Sequence, residues 1–71
     1  MLPLALANLG QEAVIRRVGG LPAMKKHLEH LGFVAGGTVS VISSLGGNLI
    51  VNVKDTRVAI SKEMAQKIMI S

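Results

Sequence analysis

The chain has 71 residues, of which 49% are hydrophobic, eight are basic, four are acidic and none is cysteine. That length holds one domain, residues 1–71, and the missing cysteine excludes disulfides and thiolate zinc sites. The net charge of +4 suits solubility, or a partner that is an acidic protein surface, an anionic lipid or nucleic acid.

Phe33 is the one aromatic residue. The stacking platforms of RNA and single-strand binders are therefore missing, and no nucleic-acid partner is expected. Met1 to Ala7 is apolar but lacks the basic flank and full hydrophobic stretch of a leader. The chain reads as soluble and untargeted, with no membrane span of its own.

Leu4, Leu6 and Leu9 lead to Gly10 as a short extended start and a turn. Residues 13–18 have strand composition with broken alternation. Ile15 and Val18 cannot both face inward on a regular strand, because facing repeats every two residues. A bulge near Arg16-Arg17 reconciles them and leaves both arginines at the surface. Gly19-Gly20 ends the segment.

Pro22 suits the first turn of a helix, where its missing N–H costs nothing. Leu21, Met24, Leu28 and Leu31 recur at helical spacing as one apolar stripe. Lys25, Lys26, Glu29 and His30 take the other side. Gly32 stands where a left-handed C-cap belongs.

Residues 38–44 and 49–53 read as a hairpin with Val39, Val41, Leu49, Val51 and Val53 facing the core. Paired residues share a face, so Val41 belongs opposite Val51. That register makes Ser44 and Asn48 close a three-residue loop, Leu45-Gly46-Gly47. A two-residue Gly-Gly turn would set core residues against solvent residues. The same register sets Ile42 opposite Ile50 on the outer face, either covered by a terminus or loop or a contact surface for a partner or a second copy of the chain.

A turn at Lys54-Asp55-Thr56 leads into a strand over 57–61 with Val58 and Ile60 inward. Ser61 is an N-cap for a short helical turn through Ala65, with Glu63 in its first turn. Ile68 and Ile70 suit a closing strand. Five short strands, one helix after the first and a helical turn before the last, predict a mainly β, small, closed or nearly closed barrel.

Little here resembles an active site. His27 and His30 are three apart on the helix and form the candidate metal pair, but no acid shares their side. No nucleophile–base–acid arrangement or paired carboxylates stand out. Gly46-Gly47 lacks the Lys-Ser/Thr of a phosphate loop. The expectation is a binding module with no catalytic activity and no cofactor. Its basic inventory is Arg16, Arg17, Lys25, Lys26, Arg57 and Lys62.

From Leu4 to Ile70 the chain resembles the ferrous iron transport protein A (FeoA) family of SH3-like barrels. The resemblance is carried by Leu9-Gly10 with Ala13, by Val18-Gly19-Gly20, and by Leu28-Glu29-His30-Leu31-Gly32-Phe33. Gly36-Gly37-Thr38-Val39-Ser40-Val41, Val58-Ala59-Ile60, Ala65 and Ile68 complete it. Gly46-Gly47-Asn48 replaces the Gly-Asp-Pro common in the family, and Ser61-Lys62 stands where an arginine often occurs.

The resemblance implies an SH3-like five-stranded barrel and a cytoplasmic, non-enzymatic accessory of ferrous iron uptake. It implies docking on the cytosolic G domain of the FeoB membrane permease. Lys25, Lys26 and His27 would line the contact, with Leu28 setting the helix and Phe33 anchoring its exit. Contact with the membrane would come only through the permease, and a homodimer through Ile42 and Ile50 is a further expectation. Two other families share part of the pattern: swapped-hairpin DNA-binding regulators of the AbrB type, and the SH3-like domain that ends some iron-dependent repressors.

Overall fold

A computed structural model describes residues 1–71. Its strands are β1 (Leu2–Pro3), β2 (Glu12–Val18), β3 (Thr38–Leu45), β4 (Asn48–Val53), β5 (Thr56–Ser61) and β6 (Ile68–Ile70). Helix α1 (Pro22–Leu31) follows β2, helix α2 (Lys62–Gln66) precedes β6, and a 3-10 turn covers Leu4–Leu6. The strands form one sheet in the order β1-β6-β2-β3-β4-β5, every neighbouring pair antiparallel. This is the mainly β architecture expected, with one added piece. Leu2 and Pro3 pair with Ile70 and Met69, a two-residue strand too short to leave an alternation in the sequence. Proline is tolerated there because β1 is an edge.

The core is aliphatic with one ring. Phe33, Leu4, Ile15, Leu28 and Ile68 are its largest fully buried side chains. Val39, Val41, Leu49, Val51 and Val53 all face inward, as do Ile60 and Ile70. No polar side chain is buried, so no desolvated group demands a partner. Of the leucines near the start, Leu4 is buried while Leu6 and Leu9 are exposed.

Two bulges set the register. On β2, Ile15 pairs with Ile70 and Arg17 with Met69, leaving Arg16 as the extra residue. Ile15 and Val18 are both buried and both arginines are exposed, as the broken alternation predicts. On β3, Val41 pairs with Val51 as expected, but Ser43, Ser44 and Leu45 pair with Ile50, Leu49 and Asn48. Ile42 is the inserted residue.

This corrects two expectations. The loop has two residues, Gly46 and Gly47, with φ of 58° and 85°, the left-handed pair of a type I′ turn. Ile42 is not opposite Ile50, which lies across from Ser43 instead. The parity argument against a two-residue turn assumed an unbroken ladder, and a bulge absorbs the extra residue.

Candidate partner-docking site

Helix α1 is the least buried regular element of any length. Only Leu28 of its ten residues is buried, Met24 is half-buried, and Lys25, Lys26, His27, Glu29 and His30 are exposed. Leu21, expected in the apolar stripe, is 78% exposed at the N-cap. It precedes the first helical residue, so the helical period does not govern where it points.

The attachment lies at the C-terminal end. Gly32 has φ of 111°. Its N–H bonds to the carbonyl of Glu29 at 3.0 Å, and the N–H of Phe33 bonds to that of Leu28 at 3.0 Å. This pair of bonds is a Schellman motif, which satisfies carbonyls the helix leaves open. The motif also calls for an apolar pair at its first and last positions. Leu28 and Phe33 fill them, and both are fully buried. Leu28 thus fixes the helix from below and Phe33 its exit.

The loop beyond is tied to the bulged strand. Gly36 N–H bonds to the carbonyl of Ile15 at 2.7 Å, and Ile15 N–H to that of Gly37 at 2.8 Å. A Cβ on Gly37 would stand 3.1 Å from the Val34 carbonyl oxygen, a tight contact that a side chain could enter only if the loop shifted by a few tenths of an ångström.

Two lysines join the site that spacing along the sequence could not bring together. At the end of α1 the Lys54 stem crosses Gly32, where a Cβ would lie 3.3 Å from Lys54 Cδ. At its start the Lys67 stem crosses Gly20, where a Cβ would lie 3.7 Å from Lys67 Cγ. Both lysines occupy turns, over twenty residues from the glycines they cover. Lys25, Lys26, Lys54 and Lys67 therefore frame an exposed helix with cationic groups. Arg57 lies near the start of β5 and Lys62 opens α2.

His27 and His30 remain a pair alone. No group of three or more histidine, cysteine, aspartate or glutamate side chains is gathered to hold a metal. A cleft of about 170 Å³ lies elsewhere, between the first residues and β2, with Leu2, Leu6, Ala13 and Ile70 among its walls. No helix is long and apolar enough to cross a membrane.

The family model described as the FeoA domain matches residues 2–71. The chain belongs to the FeoA family. An Fe(2+) transport protein A of Methanocaldococcus jannaschii is 34% identical over 71 residues, covering 99% of this chain and 85% of that protein. The crystal structure of Stenotrophomonas maltophilia FeoA complexed with zinc, described as a procaryotic SH3 domain protein, superposes with a TM-score of 0.88. It is 30% identical, covering all of this chain and 91% of the other. A manganese-dependent transcriptional repressor matches with a TM-score of 0.91 at 18% identity, covering 99% of this chain but 40% of the repressor. That last likeness is one of fold alone.

The run from Leu28 to Phe33 has a physical meaning in this chain. Its leucine, glycine and aromatic residue are the closing elements of α1, so the motif specifies where the helix stands on the barrel. The swapped-hairpin alternative does not fit, because β6 returns to pair with β2 and β1 of its own chain.

Proposed function

We propose that this FeoA-family protein is a cytoplasmic accessory of ferrous iron transport that docks, through α1 and the Gly32–Phe33 junction, on the cytosolic G domain of an FeoB-type permease. The observation that carries the reading is the exposure of α1 combined with its rigid closure. A helix held by Leu28, Phe33 and two cap hydrogen bonds presents Lys25, Lys26 and His27 to solvent in one fixed orientation. Leu21, at the N-cap, adds an exposed apolar side chain next to the helix. Lys54 and Lys67 widen the cationic frame. Cations around a docking face steer encounter with an acidic partner and set the salt dependence of association.

Isothermal titration of the soluble G domain with this protein tests the reading. The wild-type chain binds, and the K25E/K26E variant loses about tenfold or more in affinity, most of it at low ionic strength. Unchanged affinity in that variant would sink the surface assignment. Binding is expected to persist in chelator, since His27 and His30 supply only two ligands and a structural zinc site takes about four.

A further inference from the structure

Strand β5 is an open sheet edge, and the phase of its hydrogen bonding is fixed. The turn Lys54-Asp55 has two residues with φ of 51° and 59°. The pair flanking such a turn exchanges both backbone bonds, and bonded pairs then alternate along the ladder. Val53 with Thr56, Val51 with Val58, and Leu49 with Ile60 are thus the bonded pairs. The 3.0 Å bond from the Lys62 N–H to the Gly47 carbonyl continues the same alternation past the end of β5. Arg57, Ala59 and Ser61 therefore direct their N–H and C=O groups away from β4. None of the turn, loop or cap bonds takes them up.

Native proteins blunt such edges by keeping them short or with edge charges, proline, bulges or a covering element. The opposite edge follows the rule, since β1 is two residues long and contains Pro3. β5 follows it only through Arg57. It has six residues, an unshifted register and inward residues Val58 and Ile60. Its only charge, on Arg57, lies on the outer face.

We propose that β5 is a homodimer interface, pairing antiparallel with β5 of a second copy about a two-fold axis at Ala59. The argument for a second copy is self-complementarity. In this register Ala59 meets Ala59 of the partner subunit, and Arg57 meets Ser61 of the partner subunit. No like charges stand opposite one another, and like charges directly opposite would destabilise the pair. Ser43, Ile50 and Ala59 form one row across β3, β4 and β5. Pairing at Ala59 continues that row, free of charge, across the joint. Ile50 then lies one strand in from the contact, while Ile42, displaced by its bulge, takes no part. The contact uses one six-residue strand from each copy, and small interfaces go with weak, transient association, so the dimer is concentration-dependent.

Sedimentation equilibrium of the whole chain from about 10 μM to about 1 mM tests this, with amide exchange read by NMR. The expected result is a monomer–dimer equilibrium in which the Arg57, Ala59 and Ser61 amides gain protection as concentration rises. A59P removes an outward donor without touching the β4 ladder, and A59K sets two ammonium groups face to face at the axis. Both variants should remain monomeric, and I42S should dimerise like the parent. A59K keeps every backbone donor, so it decides the matter should the proline variant unfold. A protein monomeric at about 1 mM overturns the proposal. So does a dimer that A59K leaves intact. Protection of these amides only when the permease domain is added overturns it too, giving the edge to an extended segment of that partner.

Discussion

The two helices are attached to the barrel in opposite ways. α1 runs for ten residues, buries one side chain, and is fixed where it ends, by the Gly32–Phe33 closure. α2 runs for five residues and is fixed where it begins. The Ser61 hydroxyl accepts the Met64 N–H at 3.2 Å, and Ala65 is fully buried. α2 serves the barrel by turning the chain from β5 to β6. α1 gives the barrel one fully buried side chain, Leu28, with Met24 and Leu31 packed partly against the core, and a helix so exposed is marginal without packing. On the proposed function, its length is surface held out for recognition, anchored at one end.

This asymmetry can be broken most severely at the closure. F33A removes the one ring in the core and L28A the single buried side chain of α1. Truncations of fully buried residues cost about 3–5 kcal/mol for phenylalanine and about 2–5 kcal/mol for leucine. Urea denaturation should place both losses in that range. In a domain this small either loss is a large share of total stability. G32A comes next. A φ of 111° is uncommon for any residue with a Cβ, and the added methyl meets the flexible Lys54 stem. A loss of about 1–2 kcal/mol is expected, with amide exchange accelerated in α1 more than in the sheet.

S61A addresses the other helix and should cost less, about 1 kcal/mol, the usual worth of an N-cap hydroxyl. The loss should appear as faster exchange at the Met64 amide, with α1 unaffected. Equal acceleration in both helices would show that they are not independently anchored.

Much of this was legible in the residues themselves. Pro22 and Gly32 bracket α1, Ser61 and Glu63 announce α2, and the misfit between Ile15 and Val18 predicts the Arg16 bulge. The same reasoning failed on β3 because nothing there misfits. Val39 and Val41 alternate cleanly, and Ile42 is apolar enough to pass for an outward strand residue. Only the two left-handed glycines, Gly46 and Gly47, hinted at a shorter loop. The turn expected at Lys54-Asp55-Thr56 is two residues long, with Thr56 opening β5. Asp55 suits its positive φ, but Lys54 is not a usual occupant, so its geometry was not readable. As for the candidate site, Lys25, Lys26 and His27 lie together on one helix and could be read together. Lys54 and Lys67 could not, because their places beside Gly32 and Gly20 depend on how β4, β5 and β6 fold back. The missing Cβ atoms of those glycines were the one available signal.

The smallest expected effect on stability is also the sharpest test of the comparison. Lys25 and Lys26 are exposed, so K25E/K26E should change unfolding free energy by no more than about 0.5 kcal/mol. Two local terms oppose each other. A glutamate at 25 would stand one turn before Glu29, a like-charge pair worth a few tenths of a kcal/mol against the helix. Acidic groups nearer the N-terminus complement its dipole by a similar amount. If α1 exists to be recognised, this variant keeps its stability and loses its partner. A substantial loss of stability would instead mean that these lysines support the barrel, and the contrast between the two helices would then be one of degree.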